Sequence, residues 1–285
     1  MLNGGFFGDT THTWSTVNNW SPSGNSDKTY EWTKFARTTD VGSKAVLEMQ
    51  DSCSNVIFRN CRFEANQYNG ISINANTGVT IANIRFENCW IEHMYRMGFE
   101  CTGRNGVSWQ DIQLQNVVVE PQGWEAISFD GPDADVGDSY CKHVVSYGGG
   151  ATPMITSGQY GSNFEMNGPT GFIVEDSQFY ESQDSILNLQ NVGGSDSNNA
   201  YYRCLFTQKQ NPGGNNCTRD TGEHVMWANE MPYAYFEDCI FEMSAVGSYN
   251  CYMDGSSNND FVNCSRIGED TMFYETGGST NNSWT

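Results

Sequence analysis

The chain has 285 residues, 38% of them hydrophobic, enough to bury the core of one elongated domain. Its formal charge of −20 would repel a phosphate backbone, so no nucleic acid is an expected partner, and a polyanionic glycan would need bridging cations. No stretch approaches the roughly 18 apolar residues of a membrane span, and Met1–Gly5 has no features of an export signal, so we expect a soluble protein without membrane contact.

Residues 1–50 contain no clear repeat. They carry several aromatic residues, and the open end of a repeat structure must be covered by an atypical unit. The sequence therefore predicts an N-terminal cap over residues 1–50, a repeat region over 51–277 and a frayed tail over 278–285.

A repeat of 28 residues begins in Ile57–Glu64 and continues in Arg85–Glu92 and Gln113–Glu120. Apolar residues alternate within each copy, which is the period of a strand with one buried face. A second segment keeps the same offset, in Gly70–Ile73 and Gly98–Cys101. Each unit therefore predicts a strand, a sharp turn, a strand, a loop and a further strand. Looser copies near residues 175, 202, 237 and 262 bring the count to about eight rungs, one of them, near Val144, degenerate.

Asn or Asp recurs at the turn, and both tolerate left-handed backbone geometry. The next residue is often Cys, and we expect these thiols to be buried and stacked, because a regular repeat explains their spacing better than disulfides or a metal. The turn residues are Asn60, Asn88, Asn116, Asp176, Asp238 and Asn263, and the cysteines are Cys61, Cys89, Cys204, Cys239 and Cys264.

With this repeated Asn-Cys turn, the region from about 50 to 277 resembles the right-handed parallel β-helix superfamily, which includes pectate lyases, polygalacturonases, alginate-type lyases and phage tailspikes. The resemblance implies an all-β solenoid. It also implies that polysaccharide binds the outer face of the sheet formed by the Gly70–Ile73 type of strand. The polygalacturonase motifs Asn-Thr-Asp, Gly-His-Gly and Arg-Ile-Lys are absent, so no catalytic residue is transferred from a family.

If the apolar residues of these strands point inward, polar residues form an outward column. Glu100 and Glu165 would then lie two rungs apart, about 9.5 Å at the backbone, with Ser128 between them. Inverting glycosidases hold their carboxyl groups roughly 6.5–9.5 Å apart. We predict Glu100, Asp130 and Glu165 as catalytic residues; solvated surface acids, common on so acidic a chain, are the alternative.

One position before this strand carries Tyr68, Arg96 and Trp124 in successive units. Aromatic faces pack against sugar rings, and Arg96 could neutralise a uronate. These three residues, with Ser128 and Asn188 of the outward column, are the predicted substrate-binding residues. Rings that only cover loop backbone are the alternative.

The loop Asp130–Asp138 concentrates carboxylates that would suit calcium, with Asp133, Asp135 and Asp138 as candidate ligands. An ordinary solvated acidic turn is the alternative, and no cofactor is required by the rest of the sequence. Further candidate bases outside any motif are His93, Lys142, His143 and His224.

The leading hypothesis is an extracellular or virion-surface protein that binds and cleaves a polysaccharide, with hydrolysis preferred slightly over elimination. The rival is a non-catalytic structural or adhesive β-helix of the fibre or tailspike type, since a fold does not determine a function. The sequence does not decide the oligomeric state.

Overall fold

A computed structural model describes residues 13–18, 20, 25–37, 44–64, 68–74, 79–103, 108–120, 122–131, 136–150, 161–190, 198–208, 224–243, 249–268 and 273–285. These residues contain no helix, and their strands form three sheets of ten, nine and ten members in which neighbouring strands run parallel. No helical segment with the length and hydropathy of a membrane span occurs in these ranges.

Sheet A consists of β1 (Ser15–Asn18), β3 (Thr33–Ala36), β6 (Arg62–Phe63), β9 (Trp90–Ile91), β12 (Val118–Val119), β15 (Val145–Ser146), β18 (Gln178–Tyr180), β21 (Leu205–Thr207), β24 (Ile240–Glu242) and β27 (Ser265–Ile267). Sheet B consists of β4 (Leu47–Met49), β7 (Ile71–Asn74), β10 (Phe99–Thr102), β13 (Ile127–Asp130), β16 (Phe164–Asn167), β19 (Leu187–Gln190), β22 (Met226–Asn229), β25 (Cys251–Asp254) and β28 (Phe273–Thr276). Sheet C consists of β2 (Lys28–Glu31), β5 (Cys53–Arg59), β8 (Thr80–Glu87), β11 (Ser108–Gln115), β14 (Tyr140–Lys142), β17 (Ile173–Glu175), β20 (Ala200–Tyr202), β23 (Tyr235–Glu237), β26 (Asp260–Val262) and β29 (Ser283–Trp284).

The chain passes from sheet C to sheet A to sheet B in each turn, so every strand pairs with its counterpart in the next turn. β7 and β10 pair with Ile71 opposite Phe99, which is the 28-residue offset of the sequence repeat. The all-β solenoid predicted from the repeat is confirmed as a parallel β-helix.

The turn between sheets C and A has the backbone geometry predicted from its Asn and Asp residues. The φ angles of Asn60, Asn88 and Asn116 are 55°, 53° and 54°, in the left-handed region that Asn tolerates. Their side chains form a ladder, because Nδ2 of Asn88 donates to Oδ1 of Asn60 at 3.1 Å and Nδ2 of Asn116 donates to Oδ1 of Asn88 at 2.9 Å. The ladder holds successive turns in register.

The cysteines after these turns point into the core. Cys61, Cys89 and Cys239 have no exposed surface, and each described cysteine is a free thiol. The Sγ atom of Cys89 donates to the carbonyl oxygen of Phe58 in the preceding rung at 3.2 Å. The prediction of buried, stacked thiols is confirmed for the described cysteines, while Cys217 lies outside the described residues.

Aromatic side chains stack along the core between the sheets. The ring centroids of Phe58 and Phe86 are 4.9 Å apart, and those of Phe236 and Phe261 are 4.5 Å apart, in nearly parallel planes. Because equivalent positions in adjacent rungs are about 4.8 Å apart, a parallel helix places like residues in direct contact. This stacked apolar column holds the outer faces of the three sheets in place.

Both ends of the chain add strands to the sheets. β1 to β4 lie within residues 1–50 and are the first members of their sheets, so this part of the predicted cap continues the solenoid. The cap stays a prediction, because residues 1–12 lie outside the described residues. The tail 278–285 differs from the frayed end expected: β29 pairs with β26, and the Trp284 ring stacks on Phe261 at 5.3 Å.

Candidate functional site

The outer face of sheet B carries a straight row of side chains, which we name the outer column. Alternation along β10 buries Phe99 and Cys101 and turns Glu100 outward. Glu100 pairs with Ser128, which pairs with Glu165. The outer column consists of Glu48, Ser72, Glu100, Ser128, Glu165, Asn188, Trp227, Tyr252 and Tyr274. The predicted column and its register are therefore present, and Asp130 lies beside it at the end of β13.

Glu100 is held by hydrogen bonds to both of its carboxylate oxygens. Nδ2 of Asn69 donates to Oε2 of Glu100 at 2.7 Å, and Oγ of Ser72 donates to the same oxygen at 3.0 Å. Oγ1 of Thr102 donates to Oε1 at 3.4 Å. These three hydrogen bonds fix the orientation of the carboxyl group.

Glu165 has a different environment. Burial raises its pKa from 4.5 to about 7, and the negative charges of Asp130 and Asp184 add to the increase. Within the described residues nothing hydrogen-bonds to its carboxyl group. The two outward glutamates of the column thus differ in their hydrogen bonding, and the raised pKa of Glu165 suits a group that donates a proton.

Glu125 is an acidic residue of this site that the sequence analysis missed. It lies in the loop before β13, exposes only 6% of its surface, and its Oε2 atom is buried without a hydrogen-bond partner among the described residues. Burial raises its pKa well above the ordinary value, and the charge of Glu165 contributes further. The charge of Arg96 opposes these effects. Glu125 therefore belongs electrostatically to the Glu100 and Glu165 cluster.

Tyr68, Arg96 and Trp124 lie side by side, as the repeat predicts. Their backbones form a ladder in which the N–H of Arg96 donates to the carbonyl of Tyr68 at 3.0 Å and the N–H of Trp124 to that of Arg96 at 2.7 Å. The Arg96 guanidinium carbon lies 5.1 Å from the Tyr68 ring centroid and 4.2 Å from the Trp124 centroid, and the guanidinium donates to the Tyr68 hydroxyl. Asp184 precedes β19 by three residues, as Trp124 precedes β13, and was also missed.

A second aromatic group, which we name the tyrosine row, lies towards the C-terminal end of the outer column and consists of His224, Tyr249, Tyr252 and Tyr274. Tyr252 and Tyr274 stack at 5.2 Å between centroids, Tyr249 and Tyr274 at 4.5 Å, and His224 and Tyr252 at 4.8 Å. Because the faces cover one another along the column, ring edges and hydroxyl groups border the outer surface. Burial lowers the pKa of His224.

Ser128 and Asn188 occupy the outer column but expose only 4% and 6% of their surface. Their position was predicted correctly, whereas their availability to a ligand is smaller than expected. They are shorter than the glutamate and tryptophan side chains on either side of them in the column, which limits their access to solvent. Lys142, by contrast, points outward from sheet C and pairs with Glu175 at 2.9 Å, away from this site.

The predicted calcium ligands are only partly described. Asp133 and Asp135 lie outside the described residues, and the backbone N–H of Asp138 donates to Oδ1 of Asp111 at 2.8 Å. Across the described ranges, no group of three or more His, Cys, Asp or Glu side chains has the geometry to hold a metal ion. A calcium site in this loop stays a prediction.

Comparison with known proteins identifies the fold. The family described as "Right handed beta helix region" matches residues 16–118, less than half of the chain. The chain matches none of the curated proteins compared with it. Among solved structures it is similar to the A-module of Azotobacter vinelandii mannuronan C-5 epimerase AlgE4, with a TM-score of 0.40 and 11% identity, over 95% of this chain and 89% of that one. It is also similar to an alginate lyase from Paenibacillus sp. str. FPU-7, with a TM-score of 0.42 and 10% identity, over 93% and 99% of the two chains.

These structural similarities are too distant to say what the chain does. The fold is established by the three parallel sheets of the chain itself and by the family match over residues 16–118. On these grounds the chain has a right-handed parallel β-helix fold.

Proposed function

We propose that the chain binds a polysaccharide along the outer column of sheet B and cleaves it with the carboxyl groups of Glu165, Glu100 and Asp130. The observation that carries the proposal is the contrast between the two glutamates of the column. Glu100 accepts three hydrogen bonds, whereas Glu165 has a pKa of about 7 and no such donors among the described residues. The raised pKa suits Glu165 to carry a proton and donate it at neutral pH, and the hydrogen bonds of Glu100 fix the orientation of its carboxyl group.

The proposed reaction is hydrolysis, with Glu165 as the proton donor. Glu165 donates its proton to the glycosidic oxygen as the bond between that oxygen and the anomeric carbon breaks. Glu100 or Asp130 accepts a proton from the water that attacks the anomeric carbon. The two-strand separation of Glu100 and Glu165, about 9.5 Å at the backbone, leaves room for both the glycan and the water.

The flanking groups support a glycan laid along the column. Trp124 and Tyr68 offer ring surface beside the acids, and Arg96 is held between them. The tyrosine row offers hydroxyl groups further along the same face, which can donate to and accept from sugar hydroxyls. A polymer that spans both regions would cross six strands of sheet B, from β10 to β25.

A panel of neutral, amino and uronate polysaccharides tests the proposal, with products read as new reducing ends and as ultraviolet absorption. Hydrolysis yields reducing ends alone, whereas elimination also yields an absorbing unsaturated sugar. We expect Glu165→Gln to lower turnover on the responsive polymer by about a hundredfold or more. Glu237→Gln, which changes an outward glutamate of sheet C, is the matched control and should keep full activity.

Binding without any cleavage would favour the rival function of an adhesive β-helix. Neither binding nor cleavage across the panel would overturn the proposal as a whole. Full activity in both Glu165→Gln and Glu100→Gln would overturn the catalytic assignment.

A further inference from the structure

The charge around Glu165 is strongly unbalanced. The charges of Asp130 and Asp184 raise the pKa of Glu165, and the charges of Glu165 and Glu100 raise that of Glu125. Five carboxyl groups therefore lie close enough to interact in this part of the outer face. Arg96 is the cation that the described residues place among them, and its guanidinium is already engaged with the Tyr68 hydroxyl and two aromatic rings. The site thus has a surplus of carboxyl groups over basic side chains among the described residues, and the pKa values of Glu125 and Glu165 are raised.

Two buried acceptors in this region have no donor among the described residues. They are Oε2 of Glu125 and Oδ1 of Asn167, and Asn167 pairs in register with Asp130. Buried acceptors without partners are rare, because each costs about 1–3 kcal/mol of desolvation. Elsewhere in the chain a buried acid is satisfied: Oγ1 of Thr207 donates to Oε2 of Glu242 at 2.9 Å. The carboxyl group of Glu125 accepts a hydrogen bond from its own backbone N–H, and its Oε2 atom could accept one from a donor on a ligand.

We propose that the ligand of this site is a glycan with free amino groups, a polymer of 2-amino-2-deoxy sugars whose ammonium group is held among Glu100, Glu125 and Glu165. This inference rests on the proposed function, that sheet B binds a polysaccharide. An ammonium group brings three donors and one positive charge, and its hydrogen bonds to carboxylates are of the strong, charge-assisted kind.

Other ligands fit the same residues less well. A uronate polymer would bring further carboxylates to a site that already has five carboxyl groups, among which the described residues place one guanidinium, that of Arg96. A divalent metal ion needs oxygen ligands converging at roughly 2.0–2.6 Å, and among the described residues no such group exists. An ammonium group accepts longer contacts, of about 2.8 Å, and a less regular arrangement of acceptors than a metal ion. A neutral glycan would bring no positive charge to this group of carboxyl side chains.

The inference also agrees with hydrolysis. Elimination requires a carboxyl group on the sugar to acidify the neighbouring C–H bond, and an amino sugar polymer has none. Proton donation by Glu165 and water attack need no such group. A bound ammonium would in addition draw the proton from Glu125, because a nearby positive charge lowers the pKa of a carboxyl group, while Glu165 keeps its proton for the glycosidic oxygen.

Calorimetric titration tests the inference with three hexasaccharides of equal length: a hexamer of glucosamine, a hexamer of N-acetylglucosamine and a hexamer of a uronate. Titrations at pH 7 in two buffers with different ionisation enthalpies report the protons released on binding. We expect the glucosamine hexamer to bind about tenfold or more tightly than its acetylated form, with release of a proton. The Glu125→Gln variant should lose about tenfold in affinity for the amino form alone and release fewer protons.

Glu237→Gln is again the control and should bind like the unchanged chain. Because Glu125 is buried, its variant is first checked for native circular dichroism. Should it fail to fold, Glu165→Gln, which is more exposed, takes its place with the same expected loss.

Equal affinity for the amino and acetylated hexamers would overturn the amino-sugar inference and leave the proposed function standing. Calcium that binds with proton release and displaces the glucosamine hexamer would also overturn it, in favour of a metal site. Binding of none of the hexamers, nor of longer polymers, would overturn the proposed function itself.

Discussion

The guanidinium carbon of Arg96 lies 4.2 Å from the centroid of the Trp124 ring, beside the acidic cluster of sheet B. Loss of the ring removes both this contact and the ring surface available to a sugar. We expect Trp124→Ala to weaken polysaccharide affinity about tenfold, as measured by calorimetry. Arg62 and Trp90 form a similar contact on sheet A, at 4.8 Å. Trp90→Ala should leave affinity unchanged; an equal loss in both variants would point to a general effect on the fold.

The raised pKa of Glu165 predicts how stability depends on pH. The unfolded chain releases this proton near pH 4.5, whereas the folded chain keeps it to about pH 7. The unfolding free energy therefore falls as pH rises from 4.5 to about 7, and is level above that, with a change on the order of 3 kcal/mol from this group. Glu165→Gln should flatten this part of the curve, as measured by urea unfolding at a series of pH values.

Glu175 provides the opposite case as a control. Hydrogen bonds from Lys142 and Arg203 lower its pKa, so its contribution to stability is lost as pH falls. Glu175→Gln should leave the slope between pH 4.5 and 7 in place. A Glu165→Gln variant with an unchanged slope would show that Glu165 does not hold its proton at neutral pH.

Two substitutions at Asn88 distinguish the energetic cost of left-handed backbone geometry from the contribution of the side-chain hydrogen bonds. Asn88 has a φ of 53° and takes part in hydrogen bonds to Asn60 and Asn116. Asn88→Ala loses the hydrogen bonds and must also adopt left-handed geometry, and we expect a loss of about 2–3 kcal/mol in the unfolding free energy. Asn88→Gly keeps the geometry and should lose about half as much. Equal losses in chemical denaturation would contradict this division.

The tyrosine row should matter only for long glycans. Tyr252 lies three strands beyond Glu165 in the outer column, about 14 Å along the sheet. We expect Tyr252→Ala to weaken binding of a polymer severalfold while leaving binding of a trisaccharide at the acidic cluster unchanged. Tyr202, which contacts Tyr235 on the outer face of sheet C, is the control position. A loss that is independent of chain length would exclude a distant binding position.

Much of the fold could be predicted because its signals are local. The 28-residue period, the Asn at the turn and the inward Cys after it depend on backbone geometry and on strand alternation, and the register of β7, β10 and β13 follows from them. The same alternation predicted the outer column, including Glu100 and Glu165.

The rest of the site could not be predicted from alternation. Glu125 lies in a loop, where no period distinguishes a buried acid from a solvated one, and its missing partner appears only when the neighbouring rungs are in place. Asp184 could have been found by extending the repeat to the position of Trp124 in a later rung. The burial of Ser128 and Asn188 depends on their longer neighbours.

The sequence by itself determined the solenoid, the direction of its side chains and the face that carries the acids, because these follow from periodicity and turn chemistry. Only the tertiary structure decided which of those acids share one site and which of them hold a proton. The protonation of Glu165 and Glu125 depends on burial and on charges brought together from separate rungs, and both act through space across residues far apart in the chain.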